Sequence, residues 1–243
     1  WYHPVDRRVK NDNIQIVMPS DLKSKIQQAA TNSLTEIIEI RRHLHTYPEL
    51  SFEEYKTSEY IASKLKKYQI PFTTGIVKTG IVGIIEGKNP SKKVIALRAD
   101  MDALPITEAN TCEYKSKNIG VMHACGHDVH SASLLGAAKI LNELKNEFEG
   151  TIKLFFQPGE EKLPGGASLM IQEGVLENPT TQTMFGQHVF PTMEAGKVGF
   201  RNGMYMASTD EIYICVKGKG GHAAMPKDYN SPLLIASRIL LEL

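Results

Sequence analysis

Four groups able to bind a metal, His123, Cys125, His127 and His130, fall within eight residues in the stretch Met122-His-Ala-Cys-Gly-His-Asp-Val-His130, with Asp128 among them. A thiol and imidazoles this dense are costly to bury unless a cation lies between them. The stretch precedes an apolar segment, Val129–Leu144, that reads as a helix. It is therefore a loop feeding a helix start, where side chains converge on a cleft. Cys125 and His127 are expected to begin a metal site that the rest of the chain supplies or shapes.

A chain of 243 residues suits one large domain or two small ones. Its net charge of +1 gives no electrostatic case for nucleic acid or a membrane surface, and its apolar runs fall far short of a bilayer span. Three scattered cysteines, Cys112, Cys125 and Cys215, argue against a disulfide framework and for a reducing, cytoplasmic compartment. Cys112 and Cys215 read as small buried apolar residues. Residues 1–17 lack helical period and a secretory apolar core, and read as a tail or tag-like segment. Leu243 stops inside an apolar helical pattern without a cap signal, so the chain is expected to be a C-terminally truncated form.

Leu22, Ile26, Ala29, Ala30, Ile37, Ile40 and Leu44 recur at helical spacing from Ser20 to a stop before Pro48. The basic end of this helix (Arg41, Arg42, His43, His45) reads as a solvated end matched to the helix dipole, the alternative being that His45 or Arg42 lines a cleft. A second helix follows from about Glu53 to Tyr68, then two strand-like runs, Phe72–Val77 and Ile81–Glu86, joined as a hairpin. Val94–Ala99 and Thr151–Gln157 are apolar runs of the kind that strands buried on both faces show. The first delivers Asp100 and Asp102 at its C-terminal end, the second Glu160 and Glu161. Thr183–Val189 brings His188. Alternating strands and helices predict an α/β catalytic domain over residues 18–205, a mostly parallel sheet flanked by helices, with its ligands at the strands' C-terminal edge. From 206 onward an alternating run, Asp210–Lys219, a Gly-rich loop carrying His222 and a helix capped by Ser231 predict the start of a small α+β lid domain.

Mixed S, N and O donors spread from Cys125 to His188 suit a catalytic metal site better than a closed structural one. Adjacent Glu160 and Glu161 can diverge, one holding metal while the other moves a proton between water and a leaving amine. A metal-binding His needs a partner on its other nitrogen, and Asp102 or Asp128 could serve. His123 and His130 rank below Cys125 and His127 as ligands. His222 reads either as an exposed turn residue or as a substrate or oxyanion contact.

These residues resemble the metal-dependent amidohydrolase and peptidase family of hippurate hydrolases, N-acyl-amino-acid amidohydrolases and indole-acetyl-amino-acid hydrolases. The resemblance rests on Arg41-Arg-His-Leu-His-Thr-Tyr-Pro-Glu-Leu-Ser-Phe-Glu53, Ala96-Leu-Arg-Ala-Asp-Met-Asp-Ala-Leu-Pro-Ile106, Met122-His-Ala-Cys-Gly-His-Asp128, Phe155-Phe-Gln-Pro-Gly-Glu-Glu161, the His188 region and Gly218-Lys-Gly-Gly-His-Ala-Ala-Met-Pro226. It implies a two-metal centre on Cys125, His127, Glu161 and His188, with Cys125 bridging and Zn, Mn, Co or Ni as the metal. It makes Glu160 the general base and then acid, Asp102 the orienting aspartate, and His222 a substrate contact. It places Asp100 where more distant relatives carry a metal-binding His, and expects a further ligand His beyond residue 243. It implies a homodimer formed through the lid and hydrolysis of N-acyl amino acids. The rivals are a dipeptidase or carboxypeptidase on the same scaffold and a non-catalytic metal-binding fragment.

Overall fold

The computed structural model describes residues 19–204, 206 and 212–243. The tail at 1–17 lies outside the described residues, as do Asp210 and residues 205, 207 and 208 around the expected domain boundary. The chain divides into two compact units, the first ending at Thr192 and the second running Met193–Leu243.

The first unit is built from α1 (Ser20–Thr46), α2 (Tyr55–Lys67), β1 (Phe72–Ile76), β2 (Gly80–Glu86), β3 (Val94–Asp100), α3 (His127–Glu143), β4 (Thr151–Gln157), α4 (Gly166–Gln172) and β5 (Thr183–Gly186). The sheet runs β1-β2-β4-β3-β5. β3 pairs in parallel with both β4 and β5, whereas β2 is antiparallel to β1 and β4. Four of the five strands therefore point the same way and only β2 opposes them, which is the mostly parallel α/β sheet expected.

Period-2 alternation sorts the strand residues onto two faces. Ile81 and Ile85 of β2 and Leu154 and Phe156 of β4 pack with Ile40 and Leu44 of α1, Ile61 and Leu65 of α2, and Leu134, Leu135 and Ala138 of α3. On the other face Val82, Ala96 and Phe155 pack with Met170 and Val175, at and just after α4. The apolar runs of β3 and β4 are buried because each lies between two other strands and under helices on its faces. β5 is an exposed edge strand.

Two expectations fail here. His45 does not sit on a solvated helix end; it is 4% exposed. Cys112 is half-buried and Cys215 exposed, so neither is a small core residue.

The second unit, taken by itself, carries α5 (Pro232–Glu242), preceded by Ser231 as its cap residue. The described part of the expected strand, 212–219, forms no ladder and contributes only the single bridge Lys219–Asn230.

Candidate metal centre

Three strand ends and one helix start meet at the C-terminal edge of the sheet. β3 ends in Asp100 and is followed by Asp102; β4 is followed by Glu160 and Glu161; β5 is followed by His188; α3 begins at His127 with Cys125 just before it. The turn after β4 is tight. A Cβ on Gly166 would stand 1.6 Å from the carbonyl oxygen of Pro158, so only glycine lets α4 start there.

His127 is 1% exposed and its orientation is fixed by Asp102. Its Nδ1 lies 2.9 Å from the Asp102 carbonyl oxygen and 3.2 Å from Asp102 Oδ1, so Nδ1 donates and Nε2 keeps its lone pair. That lone pair faces oxygen atoms: Asp100 Oδ2 at 3.7 Å, Glu161 Oε1 at 3.8 Å and Glu160 Oε2 at 3.9 Å. His127 Nε2 and Glu161 Oε1 are both buried without a hydrogen-bond partner. Two buried acceptors turned toward each other repel unless a cation or proton lies between them. On the far side of the loop, Cys125 Sγ lies 3.4 Å from His188 Nε2. Cys125, His127 and His188 form one group whose ligand atoms lie within 4.8 Å of one another, and His127, Glu160 and Glu161 form another. The donor set and the orphaned atoms fit metal ions.

Electrostatics agree. Burial, a hydrogen bond to Glu161 and the charges of Glu161, Glu160 and Asp100 push the Cys125 thiol up to about 12. Burial disfavours a charged His127, but Asp102 and Asp100 outweigh it and raise its pKa. Burial and the charge of Glu161 raise Glu160 above the ordinary carboxylate value. Asp102 resists burial through His127, Ser51 and the backbone N–H groups of Glu161 and Glu160, which hold it low. An excess of acceptors and negative charge around a thiol is the setting that a divalent cation reverses.

Asp102, rather than Asp128, thus serves as the partner of His127. Asp128 Oδ2 is engaged by His45 Nδ1 at 2.7 Å and Arg41 Nε at 2.9 Å. His45 Nε2 reaches Glu108 at 3.1 Å, so this network ties α1 and the 107–120 loop to the first turn of α3. His123 is buried with both ring nitrogens unpartnered. His222 is exposed in the second unit, where its Nδ1 accepts from the Ala224 N–H at 3.2 Å.

Glu54 has no counterpart in the sequence reading. It is fully buried and accepts from the N–H groups of Phe52 and Gly159 at 2.9 and 2.8 Å and from the Thr79 hydroxyl at 2.6 Å. It thereby anchors the turn that leads into Glu160. It follows directly after Glu53, and nothing local marks it; two of its three partners lie 25 and 105 residues away.

A model of peptidase family M20/M25/M40 matches residues 96–236. The chain belongs to this family. It is 42% identical over 221 residues to an N-acyl-L-amino acid amidohydrolase of Geobacillus stearothermophilus, covering 91% of this chain and 59% of the relative. It is 44% identical over 221 residues to thermostable carboxypeptidase 1 of Saccharolobus solfataricus, covering 90% of this chain and 56% of that one. Among solved structures it resembles the Bacillus subtilis YXEP protein, a dinuclear metal binding peptidase of the M20 family, with a TM-score of 0.67, 40% identity and coverage of 73% of this chain and 48% of that chain. The chain therefore spans under 60% of the curated relatives it matches. No helix among the described residues is long and apolar enough to cross a membrane.

Proposed function

We propose that the protein carrying this chain hydrolyses the amide bond of N-acyl amino acids, using a pair of divalent metal ions held by Cys125, His127, Glu161 and His188. The observation that carries this reading is the buried, unpartnered Nε2 of His127, turned by Asp102 toward Glu160 and Glu161 and two residues from Cys125. Metal ions in such a site polarise an acyl carbonyl and acidify water. The thiolate suits Zn, and the imidazoles and carboxylate also accept Mn, Co or Ni.

The chain's own residues supply the rest. Asp102 holds His127 in the Nδ1–H tautomer. Cys125 gives up its proton when it ligates. Glu160, half-exposed beside His127, takes a proton from the attacking water and returns it to the leaving amine. Its raised pKa brings it closer to the working pH of a general base. His222 is assigned a substrate contact from the second unit. A homodimer through that unit and a cytoplasmic setting, which three free cysteines suit, belong to the same reading.

The test is metal analysis of the purified chain joined to a panel of acetyl-, benzoyl- and indole-acetyl-amino acids, with dipeptides alongside, offered to the protein that carries it. Metal uptake with amine release from an acyl-amino acid is expected. Release from dipeptides alone supports the second reading, a carboxypeptidase or dipeptidase, which the Saccharolobus relative's name favours. Metal bound with no release from any member sinks both.

A further inference from the structure

Asp100, His127 and His130 also bring three ligand atoms within 4.8 Å of one another, which makes His130 a candidate ligand by proximity. Its hydrogen bonds give it a different role. His130 is 1% exposed, and both ring nitrogens are committed. Nε2 accepts the backbone N–H of Val189 at 3.0 Å, so Nε2 carries the lone pair and Nδ1 the hydrogen. Nδ1 then donates to Asp100 Oδ1 at 2.6 Å. The other oxygen of Asp100 accepts from Arg98 Nη1 at 2.7 Å. A cation bound to His130 through Nδ1 would have to break its hydrogen bond to Asp100, and one bound through Nε2 would have to displace the Val189 N–H.

The other end of this chain of bonds is Val189, the residue after His188. The Val189 side chain lies over the loop between Cys125 and His127. A Cβ on Gly126 would come 2.3 Å from Val189 Cγ2, and Gly126 has a φ of +93°, a region that favours glycine. The His130 ring also meets the His188 ring, with centroids 4.6 Å apart and planes at 68°. Three separate features thus seat the segment after β5: the acceptor on His130, the missing side chain at Gly126 and the ring contact with His188. The outcome of that seating is the 3.4 Å approach of His188 Nε2 to Cys125 Sγ.

We infer that His130 is a positioning residue and not a ligand: braced by Asp100 and Arg98, it holds Val189 against Gly126 and so sets His188 beside Cys125. This rests on the metal-site reading above for its consequence, but not for its geometry. Partners that orient a ligand without touching the metal change affinity by roughly 10–100-fold when lost.

The experiment has a metal-free arm read by NMR and a metal arm read by cobalt absorption and NMR, with the wild type, His130→Phe and His130→Gln. Phe keeps a ring and loses both hydrogen bonds; Gln keeps an acceptor for Val189. In metal-free protein, His130→Phe is expected to speed Val189 amide exchange at least roughly tenfold and to abolish the through-space signal between Cys125 and His188. His130→Gln is expected to recover part of both. With Co(II) titrated in, His130→Phe is expected to bind roughly tenfold more weakly or worse, with a reduced thiolate-to-cobalt absorption, and Gln to fall between. In the wild type, the ¹⁵N resonances of His127 and His188 should shift on loading with Zn(II) while His130 Nε2 keeps its position.

Unchanged Val189 exchange in His130→Phe, or cobalt affinity equal to wild type, overturns the inference. So does a metal-bound shift at His130 Nε2, a wild-type measurement that decides the matter even if the Phe variant does not fold. A wild type that takes up no metal refutes the functional reading instead, and the metal-free arm alone then decides the seating of Val189.

Discussion

Cys125 and Glu160 show how burial and the same crowd of carboxylates raise the pKa of two neighbours. The carboxylates around Cys125 hold its thiol protonated, with a pKa of about 12, and the same crowding raises Glu160. In the proposed function a divalent cation would relieve the strain on the thiol, and Glu160 would be the group that moves the proton. Replacing Glu160 with Gln keeps the shape of the turn and removes the proton carrier. Hydrolysis by the protein that carries this chain is expected to fall by about 10²–10⁴ in kcat, with metal content, measured by atomic absorption, equal to wild type. Loss of metal in that variant would assign Glu160 to binding instead. Asp102→Asn tests the neighbouring role. The Asn amide can no longer offer two carboxylate oxygens to Ser51, the Glu161 N–H and His127. Metal affinity is expected to drop roughly 10–100-fold by competition with a chromogenic chelator; an unchanged constant would deny that Asp102 orients His127.

At the scale of elements, what could be read from the sequence depended on whether a residue's environment follows from its neighbours in the chain. β4 was legible as a buried run because Leu154, Phe155 and Phe156 are consecutive, and its bounds at Thr151 and Gln157 match. The same run contains Lys153, which is 2% exposed. Its Nζ donates to the carbonyl oxygens of Val175, Glu177 and Pro179 at 2.6, 2.8 and 3.1 Å, closing the loop between α4 and β5. No local pattern announces that, since the acceptors lie 22 to 26 residues on. Of the site, the ligand candidates were legible because their residue types are unusual. The bracing groups Glu54, Ser51 and Arg98 were not, because they are common polar residues whose partners only the fold selects. Lys153→Met is expected to destabilise the chain by about 1–3 kcal/mol in urea unfolding, with the 175–179 backbone losing exchange protection first. The helices have their own cross-tie. Glu36 of α1 accepts from Lys67 of α2 and Lys139 of α3 at 2.7 and 2.9 Å. Burial works against its charge, yet the two lysines win and hold Glu36 at about 2 against an ordinary 4.5. A carboxylate so depressed contributes its stability above pH 4.5 and loses it as pH falls from there to about 2. Lys67 is 63% exposed, so screening limits the contribution to about 1 kcal/mol. Glu36→Gln should flatten the stability profile across that acid window and leave it unchanged in slope near neutrality.

For the first unit as a whole, the candidate ligands come from three places in the chain, the α3 entry and the ends of β4 and β5, and Asp102, which orients one of them, follows the end of β3. Two buried acceptors with no partner, His127 Nε2 and Glu161 Oε1, are a standing cost in the metal-free fold. Unfolding scatters these groups, so a metal that needs all of them binds the folded chain and not the unfolded one. Folding and loading are then linked: at a free metal concentration 100 times its dissociation constant the fold gains about 2.7 kcal/mol. Addition of Zn(II) to metal-free chain is therefore expected to raise the thermal midpoint, in proportion to the logarithm of metal concentration, and chelation to reverse it. Cys125→Ser and His188→Ala should each reduce that gain, because both side chains line the same site, 3.4 Å apart. Glu36→Gln should lower the midpoint but keep the full metal response, since its lysine tie lies among the helices and not at the strand ends. A midpoint indifferent to metal in the wild type would mean that the strand-end cluster is not a metal centre. A response equal to wild type in both Cys125→Ser and His188→Ala would place the bound ion elsewhere.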